Sequence, residues 1–164
     1  MKFKPIPAAV GIVAIAIAAA GAYQWIANPA PRVMVHALQP DDAAVRALGQ
    51  RVYAAHCAAC HGAQREGQPD WQSRSPQGLL PAPPHDETGH TWHHPDDLLF
   101  RLTKLGVART LDMPDYQSTM PAFEGLLSDQ EIVAALSWIK SRWPAATRQR
   151  HDELNALSLR EPAR

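Results

Sequence analysis

Two cysteines, Cys57 and Cys60, stand three residues apart in "AAHCAACHG", His61 follows at once, and the chain holds no other cysteine. Two thiols and an imidazole at this spacing admit four chemistries: a disulfide, a thiol redox pair, a metal site, or an anchor for a larger cofactor. A disulfide between residues three apart on a helix is strained. A redox C-x-x-C belongs in a βαβ context, and no strand-like alternation occurs along the chain. Zinc needs four ligands, two of them from outside this motif. C-x-x-C-H is also the attachment signature of c-type haem. Residues three apart share one helical face, so both sulfurs can reach the vinyl groups on one porphyrin edge while the next residue turns its imidazole toward the iron. The motif favours haem, held by thioethers from Cys57 and Cys60 and by a coordinate bond from His61.

Helices must position these side chains. The first is expected to begin at Asp41 or Asp42, where an acid complements the positive end of the helix dipole. Val45, Leu48, Val52 and Ala55 then recur at helical spacing up to Cys57. Residues 63–91 are rich in Gly, Pro and polar residues and read as loop. A second helix opens within residues 93–106, with Pro95 at its first position, Asp96 and Asp97 in its first turn, and Leu98, Leu99, Leu102 and Leu105 as its apolar stripe. Gly106 is its stop. Residues 107–127 read as loop again and contain Met113-Pro114 and Met120-Pro121. Ser128 and Glu131 form a capping box for a third helix, whose broad apolar face is Ile132, Val133, Leu136, Ile139 and Trp143 and which Pro144 ends. The polar tail, residues 145–164, is expected to continue as an exposed helix or to fray. The fold class is all-α.

Composition narrows the surroundings. Lys and Arg total 16, as do Asp and Glu. Residues 1–31 carry Lys2 and Lys4 and no acid, which leaves 14 basic against 16 acidic residues in the rest. A nucleic-acid binder would need a basic footprint, so none is expected as a partner. The stretch "AAVGIVAIAIAAAGAYQWIA", residues 8–27, is an uncharged 20-residue apolar run broken only by Gln24, enough to cross a hydrocarbon core of about 30 Å at about 1.5 Å per residue. Lys2 and Lys4 place the N-terminus on the cytoplasmic side, and Tyr23 and Trp25 fit an interfacial aromatic belt. A cleaved signal peptide is the rival reading, because Ala20-Gly21-Ala22 supplies small residues for cleavage before Tyr23. Both readings export the body. The expected organisation is an anchor or signal at 1–27, a Pro-punctuated linker at 28–40, a haem domain at 41–144 and the tail at 145–164.

The body resembles a class I cytochrome c, over roughly residues 42–143. Besides C-x-x-C-H, "GQRVYAAHC" places Gly49 and Tyr53 ahead of Cys57 as the family places a glycine and an aromatic. In the family that glycine lets the first helix cross closely over an aromatic of the last, a role for which Trp138 is placed. Met120-Pro121-Ala122-Phe123 matches the family's M-P-x-F loop ahead of the last helix. The resemblance extends to the small membrane-anchored monohaem cytochromes of Gram-negative bacteria. It implies the cytochrome c fold, three main helices and long loops around one covalent haem c, here with an N-terminal transmembrane helix.

The same resemblance implies Met120 as the sixth ligand, with Met113, a histidine or an open site as rivals, and Phe123 as cover for the haem edge. Thioether ligation favours ferrous iron and raises the potential relative to two histidines. The proximal imidazole is expected to donate its other N–H to a backbone carbonyl, and residues 80–84 occupy the place where the family supplies one. Trp71, Arg74, Trp92 and Arg101 are candidates for contacting the propionates. His85, His90, His93 and His94 fall within ten residues; they admit a copper or zinc site and equally solvated loop histidines. His56 has no assigned role.

With both axial positions filled, the expected protein is an electron carrier and not an enzyme. It would sit on the periplasmic side of the inner membrane as a single-pass protein, or free in the periplasm after cleavage. Its partners would be membrane redox proteins, with the lipid bilayer engaged through the N-terminal helix. The alternatives are a haem- or copper-linked sensor or metal-handling protein, or the haem subunit of a larger membrane oxidoreductase.

Overall fold

The computed structural model describes residues 36–160. The expected membrane anchor or signal at 1–27 and most of the linker at 28–40 lie outside the described residues. Among the described residues no helix is long and apolar enough to cross a membrane, and there is no strand. The helices are α1 (Ala43–His56), α2 (Ala58–His61), α3 (Asp96–Leu105), α4 (Val107–Thr110), α5 (Asp129–Ser141) and α6 (Ala145–Ser158), with a 3-10 turn at Thr91–His93.

Helix α1 starts where an acid can cap it: the Asp42 carboxylate accepts from the amides of Ala44 and Val45. Its inward face is Gly49, Val52 and Tyr53, and it crosses α5 at Gly49. A Cβ on Gly49 would stand 1.9 Å from the Ala134 carbonyl oxygen and 2.8 Å from Trp138 Cβ. Only a residue without a side chain lets the two backbones approach this closely. One turn further, the Tyr53 ring lies 4.7 Å from Trp138, centroid to centroid. The crossing inferred from the family resemblance therefore forms with the residues expected.

Helix α5 opens with the full capping box: Ser128 Oγ accepts from the Glu131 amide, and the Glu131 carboxylate accepts from the Ser128 amide. Ile132, Ala135, Leu136 and Ile139 join Val52, Tyr53, Leu99, Phe100, Phe123, Leu127 and Trp143 in one buried cluster. Each large side chain in it contributes about 1.5–3 kcal/mol through burial.

Three local readings need correction. Pro95 is the N-cap of α3 and not its first residue, because its extended backbone (ψ 157°) belongs to the preceding loop. Residues 107–110, read as loop, form one helical turn that begins just after Gly106, whose φ of 79° breaks the chain away from α3. Helix α5 ends at Ser141, so the buried Trp143 lies beyond it, and Pro144 opens α6.

The tail from 145 is helical as far as Ser158, and one side of it is buried. His151 is fully buried, and Asn155 is nearly so. Asn155 bridges to α3: its amide oxygen accepts from the Asp96 backbone N–H at 2.8 Å, and its NH2 donates to Asp96 Oδ1 at 3.0 Å. His151 Nε2 lies 3.0 Å from the His94 carbonyl oxygen. The buried Asp96 also accepts from the Leu38 amide, and Lys140 Nζ donates to Asp152 at 2.6 Å. Helix α6 is thus held to α3 by buried polar bonds, which have to be satisfied once water is excluded, and to α5 by the half-exposed Lys140–Asp152 pair.

Candidate functional site

Helix α1 delivers Cys57 to the site as its C-cap, and α2 carries the motif onward. The amides of Cys60 and His61 both bond to the Cys57 carbonyl, at 3.1 and 2.9 Å, which keeps all three side chains on one turn. Cys57 is half-buried, Cys60 exposed, and no disulfide joins them. Burial, and to a smaller extent the neighbouring Cys60, push the Cys57 thiol up to about 11. A redox-active or metal-binding cysteine is instead poised toward thiolate.

His61 is buried at the end of α2. Its Nδ1 lies 2.8 Å from the Pro83 carbonyl oxygen. A carbonyl can only accept, so Nδ1 carries the proton and Nε2 keeps its lone pair. Desolvation lowers the His61 pKa against the opposing pull of that bond, which favours the neutral imidazole a metal requires.

The Pro83 carbonyl is held in place by the loop that follows the motif. Gln68 N–H donates to the Ala82 carbonyl, Ala82 N–H to Gln68 Oε1, and His85 N–H to the Arg65 carbonyl, at 2.8–2.9 Å. Gly67 makes this lashing possible. It has φ 72°, and a Cβ there would stand 2.5 Å from Pro84 N. The Tyr53 hydroxyl donates to the Gly62 carbonyl at 2.9 Å, tying the loop back to α1.

Met120 and Met113 differ in exposure. Met120 is half-buried and packs against the core together with Cys57, Ala58 and Trp92. Met113 is 45% exposed. The loop after Met120 is pinned to the end of α3, where the amides of Phe123 and Glu124 donate to the carbonyls of Thr103 and Lys104 at 3.1 and 2.9 Å. Phe123 is buried, and the His56 ring meets it edge-on at 6.4 Å. His56 itself is exposed beside Cys57.

The four loop histidines do not converge on one point. His90 stacks on Trp71, His93 stacks on Trp92, and His94 meets His90 edge-on at 5.4 Å. His85 lies against His61. Among the described residues no three His, Cys, Asp or Glu side chains converge to hold a metal ion. Of the residues considered for the propionates, Arg74 donates to the Gly78 carbonyl and Arg101 pairs with Asp97. Trp92 Nε1 donates to the Glu87 carbonyl.

Sequence reasoning narrowed the carbonyl to residues 80–84 without reaching Pro83, and it saw His85 only as one member of a histidine cluster. It also missed the unpartnered, buried Nη1 of Arg65, whose guanidinium lies 5.8 Å over the Trp138 ring.

The sequence profile described as Cytochrome c matches residues 46–143, well over half of the chain, and the protein belongs to that family. No curated protein and no solved structure matches the chain. Cytochromes c bind haem c covalently, and the protein is a haem-based electron carrier. The donor set fits that group. Two thiols lie one helical turn apart, and the adjacent buried imidazole has its Nδ1–H engaged and its Nε2 lone pair available.

Proposed function

We propose that the protein carries single electrons through one haem c joined to Cys57 and Cys60 by thioethers and ligated by His61 and Met120. The observation that carries this reading is the His61–Pro83 bond, which presents Nε2 as a ligand. When bound, the haem supplies an iron that cycles between ferric and ferrous. His61 and Met120 would hold that iron from the chain's side. Pro83 orients the imidazole, Met120 is a thioether packed against the same buried cluster as Cys57, and Phe123, Leu99 and Phe100 belong to that apolar cluster.

The proposed location is the periplasmic side of a bacterial inner membrane, with residues 8–27 as a single-pass anchor. The apolar run and Lys2 and Lys4 ahead of it support this reading. Membrane redox proteins are the proposed partners, engaged through a small transient interface. Tethering raises the local concentration of the domain beside them.

Carbon monoxide added to the reduced, haem-loaded protein tests the coordination. A carrier ligated by His61 and Met120 binds it slowly or not at all, whereas Met120→Ala binds it at once. Rapid binding by the unmodified protein would contradict six-coordination.

A further inference from the structure

His85 is two residues beyond the carbonyl that holds His61, and its ring is stacked on the His61 ring, with centroids 3.9 Å apart and planes within 26°. The His85 ring is itself immobilised. Its backbone N–H donates to the Arg65 carbonyl at 2.8 Å, and its carbonyl accepts from Trp143 Nε1 at 2.8 Å. Its Nδ1 lies 2.8 Å from Thr91 Oγ1. The Thr91 hydroxyl in turn donates to the Pro84 carbonyl at 3.4 Å, so its oxygen accepts from His85 Nδ1–H. Three elements meet on this one residue: the loop after the haem motif, the 3-10 turn, and the segment just beyond α5.

The Pro83 bond fixes the direction in which the His61 ring points, yet one hydrogen bond leaves rotation of the ring about that axis soft. A flat, anchored ring stacked 3.9 Å away, centroid to centroid, restricts that freedom. We infer that His85 is a positioning residue that sets the plane of the His61 imidazole over the haem. The plane of an axial imidazole determines how it overlaps with the iron d orbitals. It therefore sets the magnetic anisotropy of the ferric state, and through it the spread of the haem-methyl resonances. Groups that orient a metal-ligating histidine tune the metal through it.

This inference rests on His61 being the proximal ligand, and the experiment separates the two. Ferric wild-type protein, His85→Ala, His85→Phe and Trp143→Phe are compared by low-temperature EPR and by proton NMR of the haem methyls, with thermal melts alongside. A low-spin ferric spectrum in the wild type upholds the ligation; its absence overturns that reading before any variant is made.

The expected result is a shifted and broadened largest g value and a rearranged methyl pattern in His85→Ala. His85→Phe keeps a flat ring and restores both toward the wild type. Trp143→Phe releases the His85 carbonyl and produces an intermediate shift. Two results would overturn the inference. One is a His85→Ala protein that melts lower with unchanged g values and methyl shifts, which would make His85 a packing residue only. The other is loss of the low-spin signal in His85→Ala, which would make His85 itself a ligand.

Discussion

Replacing Gly49 by Ala sets two physical effects of opposite sign against each other. In a helix interior Ala is preferred over Gly by about 1 kcal/mol, so propensity alone predicts a more stable protein. At this crossing the new Cβ would stand 1.9 Å from the Ala134 carbonyl oxygen and 2.5 Å from its carbonyl carbon. Both obstacles are backbone atoms of α5 and cannot swing aside as a side-chain end could. The helices must separate by about an ångström, and Tyr53 and Trp138, 4.7 Å apart one turn away, must repack. Overpacking of a tight contact costs about 1–3 kcal/mol, occasionally more, and a rigid obstacle puts this site at or above the upper end. The net expectation is a loss of about 2 kcal/mol. For a domain of this size that is a melting temperature lower by about 8 °C. The assay is thermal unfolding of the haem-loaded protein followed by far-ultraviolet and Soret circular dichroism. Ala47→Gly, on the exposed side of the same helix, serves as the propensity-only control. A Gly49→Ala protein that melts at or above the wild type would refute the close crossing.

Asn155→Ala strips the buried Asp96 of two hydrogen bonds and is expected to cost about 2–3 kcal/mol, read as a lower urea midpoint; an unchanged midpoint would mean that α6 contributes nothing to the fold. His151 faces Asp96, Lys140, Asp152, Asn155 and the His94 carbonyl, and its pKa is lowered chiefly by burial and then by Lys140, against the opposing pull of Asp96. Its native pKa therefore lies below the unfolded value of about 6.5. The stability it contributes is complete above that pH and is lost as the pH falls toward the native pKa. The urea midpoint should accordingly drop on acidification from about pH 7 to about pH 5, with a shallower slope in His151→Gln; equal slopes would rule out the assignment. Gly67→Ala strains a residue at φ 72° and drives a Cβ into Pro84. It should loosen the Pro83 bond, weaken His61 as a donor and raise the reduction potential in a voltammetric measurement.

Where local chemistry acts alone, the sequence was legible. The capping box at Ser128 and Glu131 and the acid at Asp42 mark helix starts through bonds made within three residues. The crossing of α1 and α5 was legible because a glycine, a tyrosine and a tryptophan at set spacings leave few other uses for themselves. Helix α6 was harder to see. Its inward face is made of His151 and Asn155, and apolar periodicity does not register burial achieved by hydrogen bonding to a carboxylate 59 positions away. Pro95 could serve as first helical residue or as cap, and the extended path of the preceding turn decided between them. Of the site, the C-x-x-C-H motif was legible as residue types in order. The Pro83 carbonyl and the His85 ring were not, because both depend on how the Pro-rich loop folds back over α2.

The central claim is an iron held between His61 and Met120, and the ferric far-red absorption spectrum tests it most directly. A sulfur-to-iron charge-transfer band in the haem-loaded protein that persists in Met113→Leu and disappears in Met120→His, with the potential falling in the latter, is the result this account predicts. A wild-type spectrum without that band, or a Met120→His protein that retains both the band and the potential, would contradict it.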